Sequence, residues 1–390
     1  MSLGVLVSGG APTLHLGAGA LCAFHDQGVS FDVVATSGAG ALPGLLYVAP
    51  QGGAPGPALR GVVDMNIHDA IYHLIPNNYK VFFKYGPFSQ IFYQLGKMIP
   101  HLEVPPNQRY GSPYQRLVND WIDFVTAAIT PTTLTPRAKS VLTRVQVVNE
   151  LVDWTALPTS AKGFFLNAFS LDGQELQVFT KETMTPDAFY AALAMPWLYP
   201  PTPTTANGTL FTEGASHDPS GIEAVLENQH PDMKKIDALI VLDTFGPDVW
   251  TDPESIYEAL ELAIMDPIVT LSENVAALYG LQEVFFNAKG MKLPKIYRLP
   301  FDIPSWERGK TLEWSYSNAI MLWDIGYKAA LKLCVDMKKT VGPDILPDTG
   351  YRYFTTLQEE SREGDFLKLF GKPFNDMPKT VVPPPVAPGS

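Results

Sequence analysis

Between Val5 and Leu42 the sequence twice runs from a short apolar stretch through a turn of small residues into a helical pattern. The first turn reads Ser8-Gly9-Gly10-Ala11-Pro12-Thr13, and the second Ala35-Thr36-Ser37-Gly38-Ala39-Gly40. Val5–Val7 and Val33–Ala35 read as buried parallel strands, and Leu14–Gln27 as the right-handed helical crossover between them. Such a strand–turn–helix is how α/β hydrolytic enzymes expose a nucleophile at the carboxyl edge of a sheet. A second turn beside it can aim backbone N–H groups at a developing oxyanion. The pair predicts an α/β fold with its chemistry at the ends of the first two strands, and it leaves the reaction open.

The rest of the chain supports one large α/β core, since 390 residues at 46% apolar content can bury one. Residues 50–61, rich in Gly and Pro, read as a loop. The segment 70–102 is crowded with aromatics, among them Tyr72, Tyr79, Phe82, Phe83 and Phe92, and broken by Pro and Asn into short helices. It suits either a lid or tunnel wall for a long apolar substrate or the core packing of an inserted helical pair. Trp121, Phe124 and Val125 continue this helical insert, and a Pro/Thr linker follows over 129–137. Gly163–Ser170 and Glu175–Thr180 read as a hairpin around Leu171-Asp172-Gly173-Gln174. Thr185-Pro186-Asp187 caps the next helix, which ends at Met195-Pro196. Residues 237–246 give another buried strand, residues 254–264, 267–282 and 311–336 give helices, and 341–390 is a Pro-rich tail. The expected division is a main domain over 1–340, with a helical insertion at about 62–160, and the tail over 341–390.

The stretch SGGAPTLHLGAGALCAFHDQGVSFDVVATSGAGAL resembles the opening of the patatin-like lipid acyl hydrolases, which run Ser-Gly-Gly-Gly-x-Arg-Gly, a helix, then Phe-Asp-x-Val-x-Gly-x-Ser-x-Gly. A second block, from Gly163 to Thr180 and on through LFTEGASHDPS, resembles that family's later half, where an Asp-Gly-Gly turn carries the second catalytic residue. The likeness covers residues 3–45 and 160–245, covers 255–335 loosely, and hardly touches 50–160. It implies a three-layer α/β sandwich with a mostly parallel central sheet and a helical, aromatic-rich insertion. It also implies a serine–acid dyad acting on lipid esters.

The signature residues depart from that pattern. Counted without gaps from Ser8, the nucleophile position falls on Gly38, while a one-residue slip makes Ser37 the nucleophile with alanines beside it. Thr13 stands where the family has Arg, leaving the amides of Gly9, Gly10, Ala11 and Gly38 as oxyanion donors, since Pro12 has no N–H. Glu213, in Glu213-Gly214-Ala215, answers best to the family's Asp, with Thr212 one position away. A carboxyl in an apolar recess gains a raised pKa and works as acid or base. His15, His217 and Thr13 are candidate auxiliaries, and Trp197 and Tyr199, with Phe82 and Phe83, are candidate pocket walls. His25, His68, His73, His101 and His230 show no metal-ligand spacing, so neither metal nor cofactor is expected.

Three readings stay open: ester hydrolysis through Ser37 with Glu213 as base; hydration, dehydration or isomerisation of an apolar alcohol or alkene at Glu213; or inactive lipid binding. The 28 basic and 40 acidic residues give −12, which argues against nucleic acid and against docking on anionic lipid through net charge. Cys22 and Cys334 imply no disulfide framework. LGVLV reads as a strand rather than a signal peptide, and no apolar run nears the ~18 residues of a bilayer span. The expectation is a soluble, cytoplasmic protein that takes an apolar small-molecule or lipid substrate, with its oligomeric state open.

Overall fold

Every residue of β1 (Leu3–Val7) and β2 (Val33–Thr36) is buried, the mark of parallel strands covered by helices on both faces. The computed structural model describes residues 2–10, 12–74, 113–129, 148–195, 201–204, 208–222, 236–242, 294–304 and 313–341. It also describes isolated positions at 78, 91, 95, 98–100, 199 and 244 and a few between 259 and 271. Among the described residues eight strands form one mixed, mostly parallel sheet. The others are β3 (Gly163–Ser170), β4 (Glu175–Thr180), β5 (Thr202–Pro203), β6 (Leu210–Glu213), β7 (Ala238–Leu242) and β8 (Lys295–Leu299). The order is β5-β6-β3-β2-β1-β7-β8, with β4 on β3. The run β3-β2-β1-β7-β8 is parallel throughout, and β4, β5 and β6 join antiparallel.

The pairing around β3 sets up the site. Thr180–Glu175 of β4 lie opposite Phe165–Ser170, so β4 occupies one edge of β3. Both β2, paired to Gly163–Leu166, and β6, paired to Ala168–Ser170, must then share the other edge. The change of partner falls at Asn167. There β2 runs out toward β6 arriving from the opposite direction, and the turns after Thr36 and Glu213 meet head-on.

The helix α1 (Leu14–Asp26) is buried from Leu14 to Phe24. Its run of Gly and Ala lets another backbone approach. A Cβ on Gly19 would lie 2.0 Å from the carbonyl oxygen of Trp323, and one on Gly326 would lie 2.0 Å from that of Leu16. The long helix Tyr316–Val341 therefore crosses α1 glycine to glycine, while Trp323 donates its indole N–H to the Leu59 carbonyl at 2.9 Å. The helix α2 (Ala41–Val48) leaves the second turn, and Leu42, Leu45 and Leu46 are buried in the main core.

Residues 50–61, expected as a loop, instead contain the helix α3 (Pro55–Gly61). Both prolines sit in its first turn, where no intrahelical N–H is needed, and buried Leu59 anchors it. Strands β5, β6 and β8 were not anticipated, because two are very short and Lys295–Leu299 carries no clear alternation. The hairpin matches its predicted bounds, with Gln174 at φ 54° in the turn. Thr185 caps the helix Pro186–Ala192 by accepting from the Ala188 amide at 3.1 Å. Between β2 and β3 the described segments are helices and turns, including Pro113–Ile129. The linker at 130–137, most of 254–282 and the tail at 342–390 lie outside the described residues.

Candidate active site

The second turn begins where β2 ends. Ser37 is still extended (φ −138°, ψ 144°) and Gly38 turns left-handed at φ 47°. In a strand–turn–helix of this type, that strained residue is the one whose side chain is presented over the sheet edge. Here it has no side chain. A Cβ built on Gly38 would lie 2.7 Å from Glu213 Oε1 and 2.9 Å from the Ala215 Cβ. The Glu213 carboxyl thus fills the space in front of the turn that a nucleophile would use.

Ser37 faces elsewhere. It is fully buried, and its Oγ donates to the Asp218 carbonyl at 2.6 Å, which commits its only proton to a backbone oxygen. The ungapped register of the sequence therefore describes the backbone, with Gly38 at the special position and Ser37 one residue before it.

Glu213 closes β6, paired with Ala168 across the sheet, and its amide donates to the Ala194 carbonyl at 3.2 Å. Protein atoms crowd the carboxyl although the residue keeps intermediate solvent exposure. Among the described residues no donor reaches it. Burial without compensation disfavours the charged form and pushes its pKa up to about 7. Tyr199 lies close enough for the two groups to interact. Its hydroxyl is held well above its usual range, first by burial and then by the Glu213 charge. Thr212, the other candidate, is buried and paired with Phe169 in the ladder.

The first turn runs alongside. Gly9 donates to the Pro219 carbonyl at 3.3 Å and its own carbonyl accepts from Thr244 Oγ1 at 3.1 Å, so its amide is used structurally. Gly10, at φ 143°, keeps an amide with no acceptor among the described residues, as does Gly38. Thr13 is buried and its Oγ1 makes no hydrogen bond among the described residues. Ala11, Trp197, Phe82 and Phe83 lie outside the described residues.

The two histidines part company. His15 is buried between the Pro12 carbonyl, 2.6 Å from Nδ1, and Asn66 Nδ2, 2.8 Å from Nε2. Burial lowers its pKa to about 4, so it is neutral, donating through Nδ1 and accepting at Nε2. His217 is exposed and stacks flat on Phe169, with centroids 3.7 Å apart and planes 4° apart; partial burial lowers its pKa.

Two residues that organise the site were missed. Asp218, fully buried, accepts at Oδ1 from Ser220 Oγ, the Gly221 amide and the Ile222 amide. Its carbonyl gathers both Ser37 Oγ and Asn167 Nδ2, the latter at 2.7 Å. Asn167 is the one amide side chain in β3 and sits where the strand changes partner. The signals were Asn167 itself and the turn-forming Asp218-Pro219-Ser220-Gly221. Among the described residues no group of His, Cys, Asp or Glu is arranged to hold a metal ion.

The fold and site define a mixed α/β sheet with a glycine at its sharp turn and, over it, a carboxyl that has no hydrogen-bond donor among the described residues. No protein-family model and no curated protein matches the sequence. Among solved structures the chain is similar to VipD from Legionella pneumophila, at TM-score 0.32 and 12% identity over 83% of this chain. It spans 66% of that protein's chain, and a likeness this distant carries nothing about activity or partners. Among the described residues no helix is long and apolar enough to cross a membrane.

Proposed function

We propose that this protein is an acid/base enzyme that acts on an apolar small molecule at Glu213 without a covalent serine intermediate. The observation that supports this most is the pairing of Gly38 at φ 47° with Glu213 Oε1, 2.7 Å from where its Cβ would stand. A side chain that would attack a carbonyl is missing at the turn, and the hydroxyl next to it is bound to Asp218. The carboxyl titrates at about 7, so it carries a proton in about half of the molecules at neutral pH and serves as acid and base alike.

On an apolar tertiary or allylic alcohol, protonated Glu213 gives its proton to the hydroxyl. The C–O bond breaks and water leaves with the electron pair. The resulting carboxylate then takes a proton from the adjacent carbon as the C=C bond forms, which restores the acid. Hydration of an alkene is the reverse. The Gly10 and Gly38 amides, with no acceptor among the described residues, are the candidates to hold the substrate oxygen, Tyr199 borders the carboxyl, and Trp197, Phe82 and Phe83 are kept as candidate walls. The sequence resemblance to lipid acyl hydrolases supports an apolar substrate; hydrolysis through Ser37 would require its Oγ to leave Asp218.

The test is incubation with a panel of apolar alcohols and alkenes in H₂¹⁸O, followed by mass spectrometry, for wild type and Glu213→Gln. Water loss or ¹⁸O gain by the wild type, absent in the variant, is the expected result. A fluorophosphonate adduct on the wild type that disappears in Ser37→Ala would overturn the reading in favour of acyl transfer.

A further inference from the structure

Asp218 and Pro219 gather bonds from both glycine turns, from β3 and from the Glu213 turn. The Asp218 carbonyl accepts from Ser37 Oγ at 2.6 Å, where β2 ends, and from Asn167 Nδ2 at 2.7 Å, in β3. The Asp218 amide donates to the Gly214 carbonyl at 2.9 Å, next along the chain from Glu213. The Pro219 carbonyl accepts from the Gly9 amide of the first turn at 3.3 Å. This stretch is stiff in itself, because Asp218 Oδ1 ties back the Gly221 and Ile222 amides and the ring of Pro219 fixes its φ.

Within this set, stability explains Asn167 least. It is 1% exposed, and its Oδ1 has no hydrogen-bond partner among the described residues. A buried acceptor without a partner is costly, and an apolar side chain would avoid that cost. What Asn adds is an N–H aimed at the Asp218 carbonyl. It also backs the Glu213 turn directly, since a Cβ on Gly214 would lie 2.6 Å from Asn167 Oδ1 and 2.6 Å from the Asn167 carbonyl oxygen. Alternation along β3 places Asn167 on the sheet face of Phe165, which packs in the smaller core cluster. Ala168 and its cross-strand partner Glu213 take the opposite face. Asn167 therefore meets the site from behind the sheet and does not face a substrate at the Glu213 carboxyl.

We propose that Asn167 is a positioning residue, which fixes the Glu213 turn against the two glycine turns through the Asp218 carbonyl. The inference rests on the reading of Glu213 as the acid/base group. No described donor holds the Glu213 carboxyl, so the backbone at Glu213 and Gly214 alone sets where it stands. Loss of the Asn167 bond frees that backbone and lets water reach the carboxyl.

The test is the titration of Glu213 in the full chain labelled with carboxyl-¹³C glutamate, its NMR signal assigned by its loss in Glu213→Gln. The wild type is expected to titrate at about 7. Asn167→Ala should bring that midpoint down by about one pH unit or more, toward the ordinary 4.5. The same variant should lower kcat by about tenfold or more while KM changes less than about threefold. Trp323→Phe, which loses a buried bond to the Leu59 carbonyl outside the site, is the stability control and should leave the Glu213 midpoint where it was. If Asn167→Ala does not fold, Asn167→Val, which refills most of the volume, supplies the same comparison. A wild-type midpoint at 4.5, a midpoint unmoved in the Asn167 variants, or an equal shift in Trp323→Phe would overturn the proposal. Turnover of apolar alcohols and alkenes decides the acid/base reading separately, and the titration decides the role of Asn167 whichever way that falls.

Discussion

His15 and Glu213 are both withdrawn from water near the carboxyl ends of β1 and β2, and burial moves each away from its charged form. They differ in their partners. Both His15 nitrogens are engaged, by the Pro12 carbonyl and Asn66, whereas no described donor reaches the Glu213 carboxyl. A fully partnered buried group fixes structure, because every change in its protonation breaks a bond. A buried group with nothing to hold it keeps its proton mobile and can lend it to a substrate. Burial by itself does not separate the two roles, and the hydrogen-bond inventory does.

Glu213→Gln sharpens the contrast most. Turnover is expected to drop by about 10²–10⁴, the span that positioned acid/base groups supply, with the fold intact by circular dichroism. Undiminished turnover would remove Glu213 from the chemistry. His15→Ala should do the opposite. It removes the bonds that the Asn66 amide and the Pro12 carbonyl make to the ring and opens a cavity in the interior, at a cost of about 2–4 kcal/mol in urea unfolding. A variant of full stability and no activity would break the comparison.

The pH dependences have opposite signs. His15 titrates at about 4 folded against 6.5 unfolded, so its contribution is whole above 6.5 and lost as the pH falls toward 4. Glu213 titrates at about 7 folded against 4.5 unfolded, so its penalty is absent below 4.5, grows between the two values and is complete above 7. Glu213→Gln should therefore be more stable than wild type by up to about 3 kcal/mol above pH 7 and equal to it below pH 4.5. Urea midpoints at several pH values check both slopes.

Gly38→Ser costs about 1–2 kcal/mol for a left-handed non-glycine residue, and its Cβ obliges the Glu213 carboxyl and Ala215, 2.7 and 2.9 Å away, to shift as well. It puts a hydroxyl in front of Glu213, and fluorophosphonate labelling, expected to be silent in the wild type, should appear. An unlabelled, well-folded Gly38→Ser protein would mean the turn does not present its side chain to the site.

Much of this was legible in the residues. Two apolar strands with small-residue turns, the hairpin, the Thr185 cap and the buried helix between the turns follow from local periodicity and capping, which neighbouring residues express on their own. The adjacency of the second turn and Glu213 was legible as a candidate neighbourhood, with Ser37, Gly38 and Glu213 named. Which of Ser37 and Gly38 occupies the special position was not, because a one-residue slip is invisible without the backbone. Asn167 and Asp218 went unread because their roles depend on strand partners and turns distant in sequence. Helix α3 went unread because prolines that break a helix interior start one equally well.

The sequence by itself determined that the chain forms an α/β sheet with two small-residue turns at the ends of its first two strands, since strand and helix periods are properties of adjacent residues. Only the tertiary structure decided that β2 and β6 share one edge of β3, because that depends on which strands pair. This pairing places the Glu213 carboxyl against a glycine and brings Ser37 to the Asp218 carbonyl.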